Sequence, residues 1–366
     1  MKLSVDIKTL NSGLATVIKS LSSKPTMPVL EGIYMEATNE GLLLRCSDLS
    51  LQIDCLIPAI VEEEGCAVLP GKLFAEFCRK LNGELVDMQL DARKMSIKAG
   101  RARTQLQCHD PKEFPYMEVN KEINSLQIPQ NVLKEMIRQC VFATATEDSK
   151  PILTGVLCEF KEDLFSLVAL DGFRLAIRKY ALRSKMEEHE AVVPSKSFVE
   201  ISRTLIDSDE KVKVVFSHTH LLVDMGHTKI VSRLLEGDFI KYRGILPTDH
   251  ITRVRVNREE LLESIDRAML LAREGSNNLV RFNVEAELMR IFANSPVGRL
   301  EEEVPVHLNG DPLEIAFNAR YFNDVLKTLT DEEIYLDMNN NVSPCVVRPT
   351  QGDAYYYLIL PVRIFS

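Results

Sequence analysis

The sequence contains no tryptophan, and aromatic residues make up only 7% of it, so it offers no indole platform on which bare nucleobases could stack. None of its eight cysteines falls in a C-x-x-C pair, which argues against a zinc knuckle and a dithiol redox motif. No stretch approaches the ~20 apolar residues that span a bilayer, so no membrane partner is expected. The opening MKLSVDIKTL lacks the apolar core of ~7–15 residues that marks a secretory leader. Scattered thiols without an export signal predict a reducing, cytoplasmic setting. A P-loop, a G-x-G-x-x-G turn and a G-x-S-x-G elbow are all missing, so neither catalytic residues nor a cofactor are expected. Whole-chain basicity is also lacking: the formal net charge is -9, so any attraction for a polyanion must come from where the charges sit.

What is present is repetition. The segments LPGKLFAEFCRKL, VPSKSFVEISRTL and FNARYFNDVLKTL begin at Leu69, Val193 and Phe317, spaced 124 residues apart. LSVDIKTLNSGL from Leu3, LQIPQNVLKEMI from Leu126 and VRVNREELLESI from Val254 form a second set, with offsets of 123 and 128. A third set runs from Pro28 and from Pro151, offset by 123, with a weaker copy from Asn277. Three markers with nearly one period predict three homologous domains, 1–125, 126–250 and 251–366. A chain of 366 residues is about right for two or three domains of roughly 100–200 each.

Each copy reads as strand, helix, strands, helix, strands. Leu10, Leu14, Val17 and Leu21 have helical spacing. So do Phe74, Phe77 and Leu81, then Phe198, Ile201 and Leu205, then Phe322, Val325 and Leu329. Elsewhere apolar residues alternate with period two, and turns such as Asn39-Glu40-Gly41 and Asp171-Gly172 divide the runs into antiparallel hairpins. The predicted class is α+β, two helices packed on antiparallel sheet per domain.

The second helix of each copy repeats its outer face as well as its core: Lys72, Glu76, Arg79; Lys196, Glu200, Arg203; Arg320, Asp324, Lys327. On one helix alone this is a solvated face held by pairs worth ~0.2–0.5 kcal/mol each. Three copies at one spacing point instead to symmetry-related helices aimed at a single polyanion. Lys134, Arg138, Arg258 and Arg267 on the first helices add to it less regularly. Such contacts would be made to phosphates, would be blind to sequence and would depend strongly on salt.

These residues, with K-P-T-M-P-V-L-E-G from Lys24 to Gly32, L-D-G-F-R-L-A from Leu170 to Ala176, E-G-D-F-I-K-Y-R-G-I-L-P from Glu236 to Pro247 and Y-Y-L-I-L-P-V-R from Tyr356 to Arg363, resemble the DNA polymerase III beta subunit, or sliding clamp, family over essentially the whole chain. The resemblance implies a head-to-tail homodimer that closes into a ring around double-stranded DNA. It implies a processivity factor without chemistry of its own, tethering the replicative polymerase, the clamp loader and other proteins with clamp-binding peptides. DNA contact is implied at Lys24, Lys72, Arg79, Lys150, Lys196 and Arg203, with Arg320 and Lys327 added by the stripe. A peptide pocket is implied at Leu153, Leu170, Gly172, Phe173, Arg174, Leu175, Ile240, Ile245, Pro344, Leu358, Ile359, Leu360, Pro361, Val362 and Arg363.

Single features also have plainer readings. Asp171-Gly172 suits a tight turn with positive φ at the glycine. Pro361 cannot donate to a ladder, so the last strand should leave its sheet there. Arg101 and Arg103 lie on one period-two run and Glu301, Glu302 and Glu303 on another; each alone reads as a solvated edge, and together they offer opposite charges for head-to-tail contact. Leu106, Leu270 and Leu271 would supply its apolar part. His218, His220 and His227 read as exposed hairpin histidines rather than metal ligands. Two competing readings stand beside the clamp: a repeat-built scaffold for acidic proteins, and a hydrolase with a histidine site on the second domain.

Overall fold

In the computed structural model, which describes residues 1–22, 26–119, 121–146 and 150–363, one order of elements occurs three times. The first repeat is β1 (Lys2–Asp6), α1 (Ile7–Val17), β2 (Gly32–Thr38), β3 (Gly41–Ser47), β4 (Leu51–Ile57), β5 (Ile60–Glu63), β6 (Gly65–Pro70), α2 (Gly71–Arg79), β7 (Leu85–Asp91), β8 (Lys94–Ala99) and β9 (Ala102–Gln107). The second is β10 (Asn124–Pro129), α3 (Gln130–Val141), β11 (Gly155–Lys161), β12 (Leu164–Leu170), β13 (Arg174–Ala181), β14 (His189–Pro194), α4 (Ser195–Thr204), β15 (Lys211–Phe216), β16 (His220–Asp224) and β17 (Thr228–Arg233). The third is β18 (Thr252–Asn257), α5 (Arg258–Ala272), β19 (Leu279–Val284), β20 (Leu288–Ser295), β21 (Gly298–Gly310), β22 (Leu313–Asn318), α6 (Ala319–Leu326), β23 (Glu333–Met338), β24 (Cys345–Pro349) and β25 (Tyr355–Ile359). Among the described residues, β5 has no separate counterpart in the other two. Its place beside the first strand is taken in the third repeat by the far end of β21, which pairs with β18.

Local chemistry sets the helix starts. Each follows directly on a strand, so a cap must serve both. Asp6 accepts from the Thr9 amide at 2.8 Å to begin α1. Asn257 accepts from the amides of Glu259 and Glu260 at 2.9 and 3.1 Å to begin α5, and Asn318 accepts from Arg320 at 3.0 Å to begin α6. The apolar spacings then bury one face: Leu10, Leu14 and Val17 on α1, Phe74 and Cys78 on α2, and Phe322 and Val325 on α6. Phe282, Phe317 and Phe322 meet with ring centroids 4.8–5.4 Å apart and seal α6 onto β19 and β22. All eight cysteines are free thiols. Burial pushes the Cys78 thiol up to about 12 and raises Cys46, Cys140, Cys158 and Cys345 further, which keeps them protonated and inert.

The sheets do not stop at the repeats. One sheet of five strands runs β5-β1-β7-β8-β9. A second of eight runs β10-β15-β16-β17-β4-β3-β2-β6, crossing from the second repeat into the first where Ile230 lies opposite Ile53. A third of twelve runs β14-β11-β12-β13-β25-β24-β23-β18-β21-β20-β19-β22, crossing from the second repeat into the third where Leu175 lies opposite Leu358. The chain accordingly packs as two compact units, residues 1–134 with 200–234 and residues 135–199 with 235–366. The middle repeat contributes β10 and β15 to β17 to the first unit and β11 to β14 to the second.

Candidate functional site

Three groups of residues stand out: the charged helix faces, two strand edges and one apolar sheet face.

All six bases of the stripes are exposed: Lys72 and Arg79, Lys196 and Arg203, Arg320 and Lys327. They are not equally free. Arg203 donates to Glu200 at 2.7 Å. Arg320 lies 3.9 Å from Asp324, whose carboxylate is also bonded by Arg174 at 2.5 Å, and Lys327 is paired with Asp266 at 3.2 Å. Lys72, Arg79 and Lys196 have no ion pair among the described residues. The four bases singled out on the first helices of the second and third repeats are each engaged: Lys134 with Asp207 at 2.9 Å, Arg138 with the Thr328 carbonyl at 3.1 Å, Arg258 with the Asp331 carbonyl at 3.0 Å, and Arg267 with Glu302 at 2.8 Å. The Arg267 guanidinium holds the Glu302 carboxyl below its ordinary range. Lys150 is exposed just before a short turn of 3-10 helix, Pro151–Thr154. Lys24 lies outside the described residues.

The strand edges follow from the repeat. At each internal crossing, the last strand of one repeat pairs with the third strand of the helix-following hairpin set in its predecessor: β17 with β4, and β25 with β13. The equivalents without such a neighbour are β9 and the Gly298–Pro305 part of β21. Among the described residues β9 pairs only with β8, and that part of β21 only with β20. Arg101 and Arg103 are exposed at β9, with Leu106 half-buried; Glu301 and Glu303 are exposed on β21, both within reach of Arg290. Leu270 on α5 is 66% exposed, and Leu271 is half-buried.

The apolar face belongs to the sheet of twelve. Strict alternation places Val192, Leu157, Val168, Ile177 and Tyr356 in one row across β14, β11, β12, β13 and β25. Leu170, Leu175, Leu358 and Val346 form the next row. Leu153 and Tyr242 complete this cluster, and Ile152, Leu235, Phe239 and Leu246 pack at its margin. The loop Leu235–Leu246 lies against it with Ile240 and Ile245 left exposed. Tyr242 is tied to the sheet by its hydroxyl, which donates to Glu159 at 3.0 Å, and Arg243 donates to the same carboxylate. Burial, then the Glu159 charge, raises the Tyr242 phenol well above its usual value.

Not every residue expected at the pocket joins this face. Arg174 lies on the opposite side of β13 from Leu175. Its guanidinium is held by Asp171 at 3.0 Å and by the Phe142 carbonyl at 2.6 Å, and it lies 4.9 Å from the Tyr321 ring centroid. Ile359 alternates with Leu358 and likewise turns away. Phe173 is exposed and stacked on Tyr321 at 6.0 Å. Gly172, at φ 93°, forms the expected turn, with Asp171 accepting from the amides of Phe173 and Arg174. Beyond Ile359 the chain leaves the ladder, as Pro361 requires. Leu360 is 36% exposed, Pro344, Pro361 and Val362 are half-buried, and Arg363 is exposed. Leu157, Val168, Ile177, Val346, Tyr356, Tyr242 and Glu159 were missed from sequence. Period-two spacing alone could have found the first five.

His218 and His227 are exposed, and His220 bonds the Thr219 hydroxyl at 2.8 Å. No metal-binding group of three ligands occurs among the described residues. No helix there is long and apolar enough to cross a membrane.

Comparison with known proteins agrees with the threefold pattern. Residues 1–118 match the N-terminal domain of the DNA polymerase III beta subunit, residues 127–241 its central domain and residues 243–363 its C-terminal domain. The beta sliding clamp of Bacillus subtilis is 34% identical over 378 residues, covering 100% of both chains, and that of Staphylococcus epidermidis is 31% identical over 96% of each. Among solved structures, the DNA polymerase sliding clamp of Bacillus subtilis superposes with a TM-score of 0.96 at 34% identity. A putative DNA polymerase III beta subunit from Eubacterium rectale does so with 0.94 at 33%, and both cover 100% of each chain. The chain therefore belongs to the DNA polymerase III beta subunit family, the sliding clamps.

Proposed function

We propose that this protein closes head to tail with a second copy of itself into a ring that encircles duplex DNA and carries the replicative polymerase along it. As a member of its family it is an accessory subunit, and the reaction is the polymerase's. The observation that carries the reading is the pair of unmatched edges. With repeats at 1–125, 126–250 and 251–366, each internal crossing joins two neighbours in the same way, and among the described residues β9 and the Gly298–Pro305 part of β21 are the equivalents of the crossing strands left without such a neighbour. A second copy satisfies both at once, since β9 of each would extend β21 of the other, and the assembly then has no end. Arg101 and Arg103 on one edge and Glu301 and Glu303 on the other set the direction, and Leu106, Leu270 and Leu271 supply apolar area. Reversing Arg101 and Arg103 to Glu weakens dimerisation in this reading, and an unchanged dimer in analytical ultracentrifugation counts against it.

DNA is held by phosphate contacts without base readout. Among the stripes, Lys72, Arg79 and Lys196 are the strongest candidates because they are not already neutralised, followed by Arg203 and Lys150. Arg320 and Lys327 rank lowest, since Asp324 and Asp266 compete with phosphate for them. The apolar face beside Ile240 and Ile245 receives short peptides of the polymerase, the clamp loader and other clamp-binding proteins. The setting is the cytoplasm, where the chromosome is copied.

The test is topological. Loaded onto nicked circular duplex by a clamp loader, the protein stays bound through gel filtration at several salt concentrations and is lost when the circle is cut. Equal retention on circular and linear DNA would make it an ordinary DNA binder or a scaffold.

A further inference from the structure

We infer that Glu159 is a positioning residue for partner binding: from inside the sheet it holds the loop that walls the apolar face, and Glu190 beside it governs how firmly. The inference rests on the reading of that face as the peptide-docking site.

Glu159 lies in the middle of β11 with its side chain only 4% exposed. Leu157 precedes it on the same face of the strand, and it faces Ser166 on β12 and Glu190 on β14 in register. A carboxylate shielded from water in a sheet requires donors. Its two come from the loop: the Tyr242 hydroxyl at 3.0 Å and the Arg243 guanidinium. Arg243 also lies 5.1 Å from the Tyr242 ring centroid, so the two donors brace each other. Tyr242 is itself part of the apolar cluster, and the exposed Ile240 and Ile245 stand two positions before and three after it. One carboxylate in the sheet thus fixes where both exposed apolar side chains are presented. An apolar residue at 159 would extend the row begun by Leu157 and remove this anchor.

Glu190 adds a control. Partial desolvation raises its pKa, and the Glu159 charge and hydrogen bond raise it further; Arg243 opposes the rise and Asp238 reinforces it. The groups facing the pair are therefore Ser166 from the sheet and Asp238, Tyr242 and Arg243 from the loop. When protonated, Glu190 can donate to Glu159 as a third donor. When ionised, it repels Glu159 and draws on the same guanidinium. Because the folded-state pKa is raised, the stabilising form is the protonated one. It is fully present below the ordinary carboxyl value of about 4.3 and is lost as pH rises through the raised value.

The experiment uses the full-length protein and two readouts. Amide hydrogen exchange of residues 239–246 reports the loop without any partner. Fluorescence anisotropy with a labelled clamp-binding segment of a bacterial replicative polymerase reports docking. Glu159→Gln, which keeps an acceptor for Tyr242 but removes the charge that holds Arg243, is expected to speed exchange and weaken peptide binding, each about tenfold. In the wild type both readouts loosen as pH rises above the ordinary carboxyl range through the raised Glu190 value. Glu190→Gln, whose amide can donate at every pH, flattens that profile at its low-pH level. Wild-type exchange and affinity in Glu159→Gln overturn the inference, and so does a wild-type pH profile in Glu190→Gln. Should Glu159→Gln not fold, the Glu190→Gln profile on the exposed residue decides. Failure of the docking reading looks different: Ile245→Asp would then bind peptide like the wild type, while the exchange data still decide the role of Glu159.

Discussion

The two internal crossings of the molecule use the same lattice of strands and fill it with opposite chemistry. At the crossing from the second to the third repeat, the row Val192, Leu157, Val168, Ile177, Tyr356 is apolar apart from the Tyr356 hydroxyl. At the crossing from the first to the second, the corresponding row reads Val68, Tyr34, Arg45, Asp54, Lys229. The next row is Leu170, Leu175, Leu358, Val346 in one case and Ser47, Gln52, Val231, Leu222 in the other. The polar version is self-contained. Arg45 forms a two-pronged pair with Asp54 at 2.8 and 2.6 Å, and its guanidinium lies 4.3 Å from the Tyr116 ring centroid. Gln52 accepts from the Met117 amide at 2.9 Å, and the Ser47 hydroxyl points at the Met117 sulfur. The segment around Tyr116 and Met117 is thereby pinned over that face. Its counterpart, Leu235–Leu246, is pinned through Glu159 and leaves Ile240 and Ile245 exposed. Duplication supplied two equivalent surfaces, and side-chain identity made one a closed polar seam and left the other apolar with Ile240 and Ile245 exposed beside it.

The sharpest way to break this contrast is Arg45→Ala. It strands Asp54, whose side chain is 12% exposed, without its partner, and should lower unfolding free energy by about 3–5 kcal/mol in urea titrations. Replacing both together, Arg45→Met with Asp54→Leu, should restore most of that loss, because the pair serves the seam and no partner. Next in size is Met117→Ala, which removes the buried plug and should cost about 2 kcal/mol by the same measurement. Leu175→Gln carries the first crossing's chemistry into the second. It should weaken peptide binding by a factor of ten or more, about 1.4 kcal/mol, in anisotropy titrations. The smallest effect is expected at Lys229→Ala, the exposed end of the polar row, where loss of the Asp224 pair should change stability by less than about 0.5 kcal/mol. A large loss there would mean that the seam relies on charge at its rim.

Much of this was legible beforehand. The threefold period, the helical cores at Phe74, Phe198 and Phe322, the turn at Gly172 and the exit of the chain at Pro361 all depend on local spacing or on one residue's backbone chemistry. Local spacing cannot reveal which runs meet across long separations. Nothing near Ile53 specifies Ile230 as its neighbour, so the continuity of the sheets across repeats was invisible. The same limit applied to the charges. Lys327 looked free in the sequence because Asp266, which pairs with it, lies on another helix. Arg174 enters the pocket set through the family resemblance, and period two places its side chain on the opposite side of β13 from Leu175. Glu159 gave no signal because an acidic residue in a strand ordinarily reads as solvent-facing.

The sharing of the middle repeat between two sheets has a consequence for dissecting the protein. A fragment cut at the sequence repeats, such as 126–250 alone, would take β17 away from β4 and β13 away from β25, leaving bare ladders on every piece. The natural lines of cleavage for expression or limited proteolysis therefore do not follow the ancestral duplication. Unfolding should propagate through β17 and β13 into the outer repeats rather than releasing one module at a time.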